Sequence, residues 1–291
     1  MLTLDKPSRP RRPAIKRYAR HISWSLTSLG LILVLAFAFF GSPRLAGGLQ
    51  FQVFAEDLEA VSALAFDGNG GLYATLEKRH GQGQLVHIGH GETQEVLGGL
   101  DKPDGILLRD GALYLTSEDG PHGLLAYASG ERRDLDGAFG AEGIAGAGSD
   151  KILVIEDRKP AGRLLRIDPA TAEIEVLLDG LQQAEGVCET PGGEIYYVEK
   201  TSDRLSRYAD GQSVAAATGL TKPAFLNCLA DGSILITEDR TNFGRLLRYR
   251  DGTMEVLARN LGAPQSVVVG PDGAYYVAEQ RNNRILKIYG F

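Results

Sequence analysis

Six short runs of β type, each ending in a glutamate, recur along this chain: LYATLE, LYLTSE, ILVIE, IYYVE, ILITE and AYYVAE, closing at Glu77, Glu118, Glu156, Glu199, Glu238 and Glu279. The glutamates stand 41, 38, 43, 39 and 41 residues apart. A period near forty with one alternating strand per unit is what a four-stranded sheet repeated as the blade of a propeller produces. Each run follows a turn-forming segment such as GNGG, RDG, PGG, ADG or PDG, and is followed by a third strand (QLVHI, LLAYA, RLLRI, RLSRY, RLLRY, RILKI) and then a fourth (TQEVL, ERRDL, EIEVLL, SVAAAT, MEVLA). The sequence therefore predicts an all-β fold, a six-bladed β-propeller of four-stranded antiparallel blades over residues 51–291. The sixth fourth strand is missing, because the chain stops at Phe291. An unassigned strand-like segment, Leu49 to Phe54, precedes the first blade and would close the ring without leaving a sheet edge open.

Composition agrees with many short strands joined by tight turns: 37 Gly among 291 residues, with 2 Met, 1 Trp and 2 Cys. Low helix content is expected. Cys188 and Cys228 fall in the first strands of neighbouring blades but one position out of step. Side chains on opposite faces of their strands disfavour a disulfide between them.

The N-terminal region departs from this pattern. Residues 1–20 carry seven basic side chains against Asp5 alone, and the apolar run from Trp24 to Phe40 follows. Its 17 residues reach the lower limit for a bilayer-crossing helix. The expected organisation is a basic cytoplasmic tail (1–20), one transmembrane anchor or signal-anchor (21–41), a linker (42–50) and the propeller (51–291). The basic flank puts the ring in the bacterial periplasm, tethered to the inner membrane. A cleavage-like Ala36-Phe37-Ala38 offers the alternative of secretion to the periplasm, but Phe39-Phe40 continues the apolar run past it. Beyond position 20, 24 basic residues face 36 acidic ones, a formal charge of −12. Nucleic acid is excluded as a partner on that balance; small molecules or cations remain, and a protein partner is open.

In an antiparallel hairpin the start of the inner strand and the end of the second strand share one face. Positions at the inner-strand starts, Ser62, Asp104, Glu142, Glu185, Ala224 and Gln265, should therefore ring the mouth of the central channel. Asp104, Glu142 and Glu185 come from three consecutive blades. They either hold a divalent cation, with hard oxygen donors favouring Ca²⁺, or accept hydrogen bonds from the backbone of the next blade's loop.

Arg163, Arg204, Arg245 and Arg284 open the third strands of blades three to six, placed to form structural ion pairs with Glu156, Glu199, Glu238 and Glu279. Gln84 and Gly123 stand there in blades one and two, leaving Glu77 and Glu118 for ligand binding. His80 and His122, in the same two connecting loops, are candidate general bases. Gln265, Asn227 and Phe225 would line the substrate pocket. No nucleophile elbow, HExxH, CxxC, phosphate loop or dinucleotide fingerprint is present.

The segments KPDGI, AEGIA, AEGVCETPGGEIYYVEKTSDRLSRY and PDGAYYVAEQRNNRILKIYGF resemble the six-bladed propellers of the senescence-marker-protein/gluconolactonase and strictosidine-synthase-like superfamily, with NHL-like repeats as near relatives. The resemblance covers about residues 51–291. It implies a divalent ion, commonly calcium, at the channel mouth and hydrolysis of lactones or esters. Asp104 matches the ligand pattern best, with Glu142 and Glu185 at equivalent positions. The Asn-Gly that the resemblance leads one to expect before an inner strand is replaced here by Glu-Gly or Ala-Phe. Two functions are thus expected: a membrane-anchored, metal-dependent lactonase or esterase, or a non-catalytic periplasmic propeller that binds a ligand or scaffolds a partner.

Overall fold

The structure, a computed structural model, describes residues 42–159 and 161–291. The expected cytoplasmic tail and membrane anchor lie outside the described residues; among those described, no helix is long and apolar enough to cross a membrane.

Six antiparallel sheets follow one another along the chain. Their inner strands are Val61–Phe66, Pro103–Arg109, Ala141–Ala147, Ala184–Glu189, Pro223–Cys228 and Pro264–Val269. The expected closure is observed. Gln50–Ala55 pairs antiparallel with the last strand, Arg284–Tyr289, supplying the fourth strand of blade six, and Phe54 meets Tyr276 edge to face at 4.9 Å. Part of the segment read as a linker also joins a sheet: Arg44–Leu45 pairs with Thr253–Leu261 of blade five. The remaining regular element among the described residues is one short 3₁₀ turn, Gln280–Asn282.

Strand alternation explains the packing. One face of each sheet is buried against the preceding blade and the other against the following one, so the interior is six apolar layers between neighbouring sheets. Tyr197, Leu72, Leu115, Leu153 and Leu205 are among the side chains fully removed from water. Two-residue hairpins join outer strands where His90-Gly91, Ser129-Gly130, Asp210-Gly211 and Asp251-Gly252 adopt left-handed φ at both positions, the geometry that follows a twisted ribbon. His90 is thereby a turn residue.

The same alternation corrects the expectation for the cysteines. Cys188 and Cys228 form a disulfide with Cα atoms 5.6 Å apart. The residues that meet between two blades come from the front of one sheet and the back of the next. Being one position out of step therefore turns these two side chains toward each other. Cys188 packs with Leu226 and Ile236 of blade five, and Cys228 packs on the same layer from the other side.

Candidate functional site at the acidic mouth

Two devices repeat at one end of every inner strand. The residue just before it, Ala60, Lys102, Gly140, Gln183, Lys222 or Ala263, has left-handed φ of 48 to 62°. Its carbonyl accepts the N–H of the residue just past the second strand: Glu77, Glu118, Asp157, Lys200, Asp239 and Gln280. A bulge then interrupts the ladder after the first inner-strand residue in all six blades. Bulges re-aim side chains, and the bulged positions are those of Asp104, Glu142 and Glu185.

The glycines after these acids are explained by the neighbouring blade. A Cβ on Gly105, Gly143 or Gly186 would stand 2.6, 2.4 and 2.4 Å from the carbonyl oxygens of Glu142, Glu185 and Ala224. The freed backbone N–H of the bulge is taken up by threonine where the second strand reads T-x at its end: Ala63 N–H donates to Thr75, Gly105 N–H to Thr116 and Phe225 N–H to Thr237, at 2.9, 2.6 and 3.1 Å.

The register divides the six recurrent glutamates into two sets. Ala141, Ala184, Pro223 and Pro264 pair with Glu156, Glu199, Glu238 and Glu279, but Val61 pairs with Leu76 and Pro103 with Ser117. Glu77 and Glu118 are therefore one residue further on, equivalent to Asp157, Lys200, Asp239 and Gln280. In blade two a hairpin one residue shorter hid this shift in the sequence spacing; in blade one the hairpin matches those of blades three to six, and Glu77 simply stands one residue further from its inner strand.

The first set is structural. Glu156 accepts the Phe139 N–H at 2.8 Å and Arg163 Nε at 2.6 Å; Glu238 accepts the Thr221 N–H at 2.7 Å and Arg245 Nε at 2.5 Å; Glu279 accepts the Gly262 N–H at 2.6 Å and Arg284 Nε at 2.5 Å. Glu199 keeps the backbone contact, to Gln182 N–H at 2.6 Å. The fourth expected ion pair, with Arg204, is not formed among the described residues, where Arg204 is exposed.

The second set faces a cavity of about 280 Å³ at the channel mouth. Glu77 and Glu118 line it together with the bulge acids Asp104, Glu142 and Glu185, and Asp157 and Asp239 bring the carboxylates to seven. Lys102, Lys159 and Lys200 oppose them, and the amides of Gln183, Gln265 and Gln280 complete the wall. The structure thus brings together the expected Asp104, Glu142, Glu185, Glu77, Glu118 and Gln265.

The closest carboxylate grouping differs from the expected triad: oxygens of Glu77, Asp104 and Glu118 lie within 4.8 Å of one another. Three hard oxygen donors at that separation fit a divalent cation such as Ca²⁺. Asp104 Oδ1 accepts Ser62 Oγ at 2.7 Å, and Glu77 Oε2 accepts Gln280 Nε2 at 2.8 Å. Lys102 Nζ lies 3.2 Å from Glu77 Oε1 and also contacts Glu118. Across the cavity Lys200 Nζ bridges Glu185 at 2.9 Å and Asp239 at 3.2 Å.

Crowding in a confined space sets the protonation of these groups. Burial, then the charge of Asp104, lifts Glu77 to about 7 against the pull of Lys102 and Gln280. Burial also lifts Glu185 to about 7, with Asp104 adding to the rise and Lys200 opposing it. Glu142 is pushed well above the usual carboxylate range by burial, by the charge and hydrogen bond of Asp104, and by Glu185. Burial disfavours charge on Lys102 too, but Glu142, Glu77 and Asp104 outweigh it and hold the ammonium more firmly protonated.

Four expected site residues lie elsewhere. His80 is a left-handed loop residue whose backbone N–H donates to Asp101 at 2.8 Å, and its exposed side chain does not line the cavity. His122 turns outward to Asp136 and Asp134, 3.2 and 3.9 Å away. Phe225 and Asn227 line a different cavity, of about 320 Å³, walled by inner-strand residues of all six blades. At about 3.3 Å per residue, Asn227 is roughly 10 Å down the strand from the mouth position Ala224, and its Nδ2 donates to Val267 O at 3.0 Å. Sequence reasoning missed Lys102, Lys200, Asp157 and Asp239. Their signal is position, either just before the inner strand or just after the second.

No protein-family model matches the chain, and no curated protein matches its sequence. Solved structures do match. A gluconolactonase of Xanthomonas campestris superposes with a TM-score of 0.71 at 11% identity, covering 84% of this chain and 94% of its own. A calcium structure of a Carbohydrate-Active Enzymes family AA12 protein of Trichoderma reesei gives 0.67 at 12% identity, covering 87% and 98%. An auxiliary nutrient binding protein of Bacteroides thetaiotaomicron gives 0.68 at 12%, covering 85% and 77%. The molecule is a six-bladed propeller with an acidic channel mouth. Its fold is that of the gluconolactonase-like propellers.

Proposed function

We propose that this protein is a divalent-cation-dependent hydrolase of a lactone or ester, anchored by residues 21–41 in a bacterial inner membrane with its ring in the periplasm. The observation that carries the reading is the convergence of seven carboxylates on three lysines in one small cavity, with Glu77, Asp104 and Glu118 close enough to share an ion. The gluconolactonase and the calcium-containing structure among its fold neighbours support it. The Cys188–Cys228 bridge supports export, since disulfides persist in oxidising compartments.

Glu77, Asp104 and Glu118 would hold the cation, which when bound supplies Lewis acidity toward a carbonyl oxygen. Glu185, brought to about 7, is the proton acceptor for the attacking water. Lys200 fixes one of its oxygens and leaves the other free to take that proton. Glu142, its carboxyl pushed well above the usual range by burial and by Asp104, hydrogen-bonds Asp104 and is the donor toward the departing alkoxide oxygen. Gln183 and Gln265 present amides to substrate hydroxyls.

Lactone and aryl-ester assays with and without a chelator test the proposal. Glu185→Gln should lower kcat by about 10²-fold or more, while His80→Ala with His122→Ala should leave the rate unchanged. Hydrolysis indifferent to both chelator and Asp104→Ala would refute the reading. Lys102 standing among the three carboxylates favours a second reading, a non-catalytic propeller that binds a small molecule or protein partner at the same mouth. That reading predicts ligand binding without turnover.

A further inference from the structure

Lys102 differs from its equivalents in the other five blades. Ala60, Gly140 and Ala263 have no side chain long enough to reach the axis, Gln183 carries no charge, and Lys222 does not line the mouth cavity. The backbone of Lys102 is fixed on both sides: its N–H donates to Lys78 O at 2.8 Å, and its carbonyl accepts Glu118 N–H at 3.1 Å. With φ of 50° the residue is in the left-handed conformation, held there by these two backbone bonds despite the extended preference that Pro103 imposes on the residue before it, and its ammonium reaches the mouth. The ammonium then pairs with Glu77 of blade one and Glu118 of its own blade, two of the three carboxylates that come within 4.8 Å of one another. A lysine stem has four rotatable carbons, so the head can withdraw while the backbone stays fixed.

We propose that Lys102 is a tethered cation that occupies the divalent-ion site, so that ion uptake proceeds by exchange with its ammonium. This rests on the ion site proposed above. An ammonium and a divalent ion cannot share the same carboxylate oxygens, because two positive charges within a few ångströms repel strongly in a partly dehydrated cavity. The lysine neutralises the ring in the absence of the ion and lowers the apparent affinity when the ion is present. The site is thereby tuned toward the weak affinities of extracellular calcium modules, roughly 10⁻⁴–10⁻³ M. Lys200 is the internal control, for it bridges Glu185 and Asp239, neither of which belongs to the close grouping.

Calorimetric calcium titration of the full-length chain tests the exchange. Lys102→Met should tighten binding by about tenfold or more, and Lys200→Met should change it far less. A second measurement uses the unaltered protein: an amine-reactive reagent with peptide mapping should label Lys102 several-fold more at saturating calcium than in chelator, with Lys200 unchanged. Equal affinity of Lys102→Met and the unaltered protein, or labelling of Lys102 indifferent to calcium, overturns the exchange while leaving the ion site standing. Absence of binding in every variant removes the ion site and the exchange with it.

Discussion

Blades three, five and six use glutamate differently from blades one and two. Glu156, Glu238 and Glu279 are fully buried, each clasped by an arginine and capping a backbone N–H at the entry to the inner strand. Glu77 and Glu118, one residue later in the register, have no such arginine and face the channel mouth, where a lysine from an adjacent loop is their counter-charge. A shift of one position in a strand reverses the direction of a side chain, and here it separates a carboxylate that holds the ring together from one available to a ligand. Leu76 and Ser117 fill the clasped position in blades one and two.

The comparison can be broken by removing a clasp. Glu238→Ala leaves Arg245 and the Thr221 N–H without their partner and should lower unfolding free energy by about 3–5 kcal/mol, measured by denaturant titration; a loss below about 1 kcal/mol would show that the clasps are ornamental. Rebuilding a clasp sharpens it. Leu76→Glu should destabilise by about 3 kcal/mol, and adding Gln84→Arg, directly opposite in the ladder, should recover part of that loss. Gly143→Ala, forcing a Cβ to within 2.4 Å of Glu185 O, should cost about 1–3 kcal/mol and loosen the bulge that aims Glu142.

The smallest effects belong to the mouth. Glu77→Gln in the ion-free protein should be near neutral for stability at acid pH and stabilising above neutrality, where the ionised carboxylate of the folded ring opposes folding. The pH dependence follows from the same crowding. Glu77 and Glu185 rise from an ordinary 4.5 to about 7 on folding, so the folded ring keeps protons that the unfolded chain has released between those values. Their stabilisation is complete below the lower value and is lost as pH rises through the upper one. Without calcium the thermal midpoint should fall between pH 5.5 and pH 8, and saturating calcium should restore most of the loss; a midpoint that rises over that interval contradicts the assignment.

The fold was legible because a forty-residue period, alternating strands and turn chemistry all point to one architecture. The missing sixth strand and the spare segment Leu49 to Phe54 also pointed to the closure, which Gln50–Ala55 makes by pairing with Arg284–Tyr289. The inner-strand acids were legible for the same reason, being fixed by distance from a strand end. Three things were not. The one-residue offset of Glu118 is masked by a shorter hairpin, and that of Glu77 looks in sequence like a longer turn, because spacing alone does not separate turn length from register. The disulfide needed the rule that facing sheets present opposite faces. Lys102 and Lys200 sit at strand margins where sequence shows only polar loop residues, and their role comes from what the next blade brings near.

The central claim is that Glu77, Asp104 and Glu118 form one cation site at the mouth, distinct from the clasped glutamates. An anomalous difference map from crystals of the protein grown with calcium tests it most directly. The account predicts a peak coordinated by those three carboxylates with the Lys102 ammonium moved away. A map with no peak there and Lys102 still paired to Glu77 would contradict it.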